Sequence, residues 1–164
     1  MLQRSVYWIR KVDFLMAKHK PFRSVFYYQN KNTKWRHIVK VVFPPLQTVE
    51  IGEIIGGGLY IPHSIAVISP YKAGKNLSVL PGVVIGKNGE GDRSKTNPTI
   101  LDNVTIGANS TVFGPVHIGN NVTIGAGSVV AKDVSSNTIV AGNSAQVIKK
   151  YNFDKEIWEK TKED

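Results

Sequence analysis

The residue in this 164-residue chain with the clearest capacity to move a proton is His63, in the run Tyr60-Ile61-Pro62-His63-Ser64. An unperturbed imidazole has a pKa of about 6.5, so a neutral ring is abundant at neutral pH. A positioned base of this kind contributes roughly 10² to 10⁴ in rate. A surface histidine is also an ordinary thing, so its neighbours decide. His117 is the other histidine between residues 47 and 146, while His19 and His37 lie before them. The three-histidine spacing of a zinc enzyme is missing, and with no cysteine there is no thiolate site, thiol nucleophile or disulfide framework. No metal is expected. Asp92 and Arg93 stand together in a glycine-rich stretch as charged groups able to meet an acceptor.

These residues are carried by a six-residue beat. Branched aliphatic positions recur at Val49, Ile55, Ile61, Val67, then Ala73, Val79 and Ile85, and in a new phase at Ile100, Ile106, Val112, Ile118, Ile124 and Val130. A second small or apolar residue follows four places later, as at Leu59, Ile65, Leu77, Val83, Val104, Val116, Val122, Ser128 and Val134. Glycine, asparagine and aspartate fill the intervals, so each hexad reads as a short strand and a sharp bend. One hexad cannot enclose its own apolar face; stacked coils can. The expectation is a mainly β chain forming a parallel β-solenoid of triangular coils, with residues 18 apart stacked about 4.8 Å from each other. His63 then falls two places after an inward residue, with its side chain directed away from the core.

The beat is broken between Ile85 and Ile100, where fifteen residues stand in place of six. The excess is an extruded loop over 87–99 holding Asp92 and Arg93, and insertions on one corner of a solenoid tend to serve a binding face. Before the repeats, residues 1–46 form a basic, mostly helical segment. Residues 1–40 carry ten Lys or Arg against Asp13 alone, whereas residues 41–164 sum to zero. This segment suits a cap on the solenoid end, and equally an anionic membrane surface or an acidic substrate. The repeats occupy 47–146. Residues 147–164 form a tail in which Asn152 and Asp154 suggest the cap of a short C-terminal helix through Ile157 and Trp158. No apolar run approaches the roughly 18 residues needed to span a bilayer, and the first residues lack a signal-peptide pattern. A cytoplasmic protein is expected, with peripheral contact at the inner membrane face through residues 1–40 as a further option and no nucleic-acid partner.

Taken together, Ile55-Gly-Gly-Gly-Leu-Tyr-Ile-Pro-His63-Ser-Ile-Ala-Val-Ile, Leu80-Pro-Gly-Val-Val-Ile-Gly86, the Gly91-Asp92-Arg93 loop, Ile124-Gly-Ala-Gly-Ser-Val-Val130 and Ala141-Gly-Asn-Ser-Ala-Gln-Val-Ile148 resemble the serine acetyltransferase-like branch of the hexapeptide-repeat acyltransferases. The resemblance covers about residues 48–150. It implies a left-handed parallel β-helix, a homotrimer with sites in the clefts between subunits, acetyl-CoA as cosubstrate, and His63 as the base that takes the acceptor's proton. It further implies that Gly107, Ala108, Gly125 and Ala126 line the path of the pantetheine arm, small because a larger side chain would block it. Lys132, Lys149 and Lys150 are placed to meet the phosphates of CoA.

The chain departs from that branch at the acceptor. Pro62 and Thr48 occupy two positions where serine acetyltransferases have aspartate, and after Arg93 the chain continues Ser94-Lys95-Thr96-Asn97-Pro98 in place of His-Pro. His63 would take another partner: Glu50, Glu53, Asp92 of a neighbouring subunit or a main-chain carbonyl. These losses point to a changed acceptor, a sugar hydroxyl of polysaccharide biosynthesis as in the capsular and exopolysaccharide O-acetyltransferases, with Asp92 and Arg93 holding it. The alternatives are serine O-acetylation towards cysteine and a non-catalytic scaffold on the same solenoid.

Overall fold

The computed structural model describes residues 26, 41, 49–51, 54–62 and 65–161. His63, Thr48, Glu53 and all of the basic segment 1–46 except Phe26 and Val41, both helical, lie outside the described residues. Among the described residues, no helix is long and apolar enough to cross a membrane.

The described residues hold fourteen short strands, which line three walls. The first wall stacks β1 (Val49–Ile51), β2 (Ala66–Ile68), β5 (Val83–Gly86), β8 (Thr111–Phe113) and β11 (Val129–Val130). The second stacks β3 (Lys72–Ala73), β6 (Thr99–Ile100) and β9 (His117–Ile118), extended at both ends by the bridges Ile55–Ala73 and Ile118–Val134. The third stacks β4 (Ser78–Val79), β7 (Thr105–Ile106), β10 (Thr123–Ile124) and β12 (Thr138–Ala141), with Tyr60 bridged to Ser78 below. Every pairing from β1 to β12 is parallel. The architecture is the parallel β-helix that the hexads demand.

The core is three inward columns: Ile68, Ile85, Val112 and Val130; Ala73, Ile100, Ile118 and Val134; Ile61, Val79, Ile106, Ile124 and Val140, all buried. Full burial of such a side chain is worth about 1.5 to 3 kcal/mol. Ser110 and Ser128 are buried among them and satisfied: the Oγ of each donates to the carbonyl of Gly125, at 2.8 and 2.6 Å.

One stretch slips from the expected phase. Ile68, not Val67, points inward, Ala66 takes the second apolar position, and Ile65 is 63% exposed. The step from Ile61 to Ile68 is seven residues where the equivalent steps from Val79, Ile106 and Ile124 are six. Three residues, 63–65, connect Pro62 to Ala66; two, Pro81 and Gly82, connect Leu80 to Val83 directly above.

The expected C-terminal helix is replaced by strands. β13 (Gln146–Asn152) pairs antiparallel with β12, and β14 (Ile157–Lys160) pairs antiparallel with β13. Asn152 does cap, but it caps a turn: its Oδ1 accepts from the main-chain N–H of Asp154 and of Lys155. The unpaired edge of β12 offers a row of hydrogen-bonding groups, and Val147, Lys149 and Tyr151 alternate to suit it. Tyr151 packs edge-on against Phe153 and Trp158.

Candidate functional site

The three corners differ in what happens to their main-chain N–H groups. At the corner between the second and third walls, the residue after each tight bend donates its N–H to a side chain of the coil above. Lys75 N–H donates to Asp102 Oδ1 at 2.7 Å, Asp102 N–H to Asn120 Oδ1 at 3.0 Å, and Asn120 N–H to Ser136 Oγ at 2.9 Å. Beside this row runs a ladder of left-handed asparagines, in which Asn76 Nδ2 donates to Asn103 Oδ1, Asn103 to Asn121, and Asn121 to Asn137. Their φ values of 55° to 59° suit asparagine, which tolerates this conformation better than most residues. That corner is closed.

The corner from the third wall back to the first is open. Its equivalent residues, one level apart, are Pro81, Ala108 and Ala126, aligned by Asn109 N–H donating to the Pro81 carbonyl and Gly127 N–H to the Ala108 carbonyl, both at 2.8 Å. No side chain projects from above to cap them, since the residue one level higher is alanine or glycine. Ala108 and Ala126 therefore present N–H groups with no partner among the described residues, Ala108 half-buried and Ala126 exposed. A main-chain donor left open in this way calls for water or a ligand. The result is an open edge of the solenoid, a shallow groove only in that no side chain rises to cap it, with donors about 4.8 Å apart.

Pro62, the residue before His63, lies on this same corner, one level below Leu80. Pro62 thus marks the foot of this corner. The residues expected to meet a pantetheine arm, Gly107, Ala108, Gly125 and Ala126, share this corner. The glycines have an internal cause: a Cβ on Gly107 would lie 2.5 Å from Ala126 N, and one on Gly125 would lie 2.9 Å from Ala141 Cβ. They are small so that coils stack, while Ala108 and Ala126 supply the open donors.

Asp92 and Arg93 sit elsewhere. Their loop leaves the corner between the first and second walls and contains a single helical turn, α1 (Arg93–Thr96). Asp92 caps it, accepting from Ser94 N–H at 2.9 Å. Arg93 Nη2 donates to the Pro70 carbonyl at 2.9 Å and to Ser69 Oγ at 3.2 Å in the corner one level below. The loop's root is buried: Thr96 Oγ1 donates to Asn97 Oδ1, and Asn97 Nδ2 to the Ser69 carbonyl at 2.7 Å. Both charged residues are engaged in holding this loop, across the first wall from the groove.

Of the three lysines, Lys132 is exposed on the corner between the first and second walls, again away from the groove. Lys149 and Lys150 lie on β13, half-buried and exposed, paired with Ile139 and Thr138 respectively. His117 is exposed on the second wall, and its main-chain N–H donates to Asp133 Oδ1. Among the described residues no group of three His, Asp or Glu is arranged to hold a metal. Sequence reasoning did not single out Pro81 or the open N–H groups. Their signal was the absence of Asp, Asn or Ser at Ala108 and Ala126, where Asp102, Asn120 and Ser136 stand at the closed corner.

Residues 97–132 match the family model described as bacterial transferase hexapeptide (six repeats). The chain is 39% identical over 130 residues to serine acetyltransferase 1, chloroplastic, of Arabidopsis thaliana, covering 71% of this chain and 40% of that protein. It is 33% identical over 101 residues to the serine acetyltransferase of Helicobacter pylori, covering 60% and 58%. The crystal structure of Neisseria gonorrhoeae serine acetyltransferase in complex with serine superposes with a TM-score of 0.63 at 28% identity, covering 83% of this chain and 60% of that one. The chain spans less than two thirds of the length of each of these proteins.

Proposed function

We propose that this chain, whose hexapeptide repeats are of the bacterial transferase type, transfers the acetyl group of acetyl-CoA to a hydroxyl oxygen. The observation that carries the reading is the open corner, where Ala108 and Ala126 offer main-chain donors to the amide carbonyls of a pantetheine arm. The arm would lie along the groove with its thioester at the foot, towards Pro62.

His63 acts there as the base. Its neutral imidazole takes the proton of the acceptor hydroxyl as that oxygen attacks the thioester carbonyl. The tetrahedral intermediate collapses, the carbon–sulfur bond breaks, and the imidazolium returns its proton to the departing thiolate. No covalent enzyme intermediate forms and no metal takes part.

The groove and the Asp92–Arg93 loop flank opposite edges of the first wall, about 13 Å of strand apart at β5. A site using both needs a second copy of the chain. A homotrimer of left-handed helices, with each groove facing a neighbour's loop, satisfies this and lets Lys132 reach the phosphates of the neighbour's CoA.

L-Serine is the acceptor that the relatives favour, since those named above are serine acetyltransferases. A sugar hydroxyl is the second reading, favoured by one observation: Arg93 bonds the Ser69–Pro70 corner beneath it, which leaves it less free to grip an acceptor carboxylate. The test is thiol release from acetyl-CoA with L-serine and with a panel of nucleotide sugars, for the wild type and His63→Ala. Release with serine that vanishes in the variant supports the first reading; release with a sugar alone supports the second. Failure of CoA to bind at all would leave a non-catalytic scaffold.

A further inference from the structure

We infer that Pro81 is the stop of the groove and the residue that limits the donor to short acyl groups; this rests on the acetyl-CoA reading above. Going down the open corner, the same turn position is held by Ala126, Ala108 and Pro81. The first two offer free N–H groups. Pro81 has no N–H to offer, so the row of donors ends there.

The groove narrows at the same level. Where Ala108 and Ala126 carry a methyl group, Pro81 carries a ring, and Leu80 replaces the glycine found at 107 and 125. Leu80 and Pro81 are both half-buried. The turn itself is unchanged, because the residue after Pro81 is Gly82 with φ +74°, matching Asn109 at 58° and Gly127 at 69° in the turns above. The difference between the levels is thus chemical: a donor and open space above, no donor and more bulk below.

One level beneath, Pro62 underlies Leu80, and the chain takes three residues from Pro62 to Ala66 where it takes two from Leu80 to Val83. An arm hydrogen-bonded at Ala126 and Ala108 brings its thioester to the level of Leu80 and Pro81, one level above Pro62. Two carbons of acyl group fit before the ring; a longer chain must displace it or withdraw the arm from its donors. Pro81 thereby ties the position of the reacting carbonyl to the size of the acyl group.

The test needs no acceptor. Dissociation constants of CoA, acetyl-CoA and butyryl-CoA are measured by titration calorimetry for the wild type, Pro81→Ala and Ala108→Pro, with folding checked by circular dichroism. The wild type is expected to bind butyryl-CoA about 10-fold more weakly than acetyl-CoA, the scale of hydrophobic-pocket discrimination. Pro81→Ala should narrow that gap to about 2-fold. Ala108→Pro deletes an N–H that has no partner among the described residues and moves the stop up one level, so acetyl-CoA itself should weaken about 10-fold. Equal binding of both acyl-CoAs by the wild type, an unchanged gap in Pro81→Ala, or wild-type acetyl-CoA affinity in Ala108→Pro would each overturn the inference. If the wild type binds no form of CoA, it is the donor reading itself that fails.

Discussion

Asn97 donates its side-chain amide to the main-chain carbonyl of Ser69, 28 positions earlier, at 2.7 Å, while its Oδ1 accepts from Thr96 Oγ1 at 2.9 Å. Asn97 is 3% exposed, so this pair of bonds is the buried root of the inserted loop. Arg93 reaches the same corner from the exposed side.

Burial sets the order of two substitutions. Asn97→Ala leaves the Ser69 carbonyl without its side-chain donor and the Thr96 hydroxyl with the Asp92 carbonyl alone, and should cost about 1 to 3 kcal/mol. Arg93→Ala removes one exposed and one part-buried bond from a side chain that water can replace, and should cost less, about 1 kcal/mol or under. Urea unfolding of both variants checks this; a larger loss for Arg93→Ala would show that the guanidinium, not the amide, anchors the loop.

The two corner types predict a substitution that separates stability from binding. Ala126→Asp places a carboxylate above the Ala108 N–H, as Asp102 stands above Lys75 N–H. The variant should keep or raise the melting temperature, since it satisfies an open donor, yet lose about 10-fold or more in acetyl-CoA affinity. Retained affinity would show that the cofactor does not use this N–H.

In the asparagine ladder, Asn103 both donates and accepts between Asn76 and Asn121, at φ 58°. Asn103→Ala loses these bonds and forces alanine into the left-handed region, for a combined cost of about 1 to 3 kcal/mol. Asn103→Gly keeps the backbone at ease and should recover about 1 kcal/mol of it. Thermal unfolding of the pair separates the backbone share from the bonds.

A metal-independent transfer predicts that dialysis against a chelator leaves the rate of thiol release unchanged, and that His117→Ala keeps wild-type activity. Loss of activity on chelation, restored by zinc, would return a metal to the mechanism.

The inward columns from Val79 onward were legible because a hexad places one branched residue per wall. The slip at Ile68 was hidden by compensation. The seven-residue step from Ile61 is followed by a five-residue step to Ala73, so the beat regains its phase and Val67 looks like a core position. The C-terminal strands were illegible for another reason. Asn152 announces a turn in either structure, and only the unpaired edge of β12 decides that the flanking residues become strands. The groove was half legible: the small residues marked the corner, but the cause of Gly107 and Gly125 lies in the coil above. The open donors appear only when one corner is compared with another at the same level.

The β13–β14 hairpin also decides what the molecule cannot become. A stack of parallel strands ending in a bare edge is a template for more of the same, and copies added end to end would grow into a fibre. On the third wall, the last parallel strand, β12, is followed by two antiparallel ones, and the final strand presents Lys160 and Glu159 along with Trp158. A new coil arriving there meets the wrong strand direction and charged side chains. The hairpin thus bars the addition of another parallel coil on that wall.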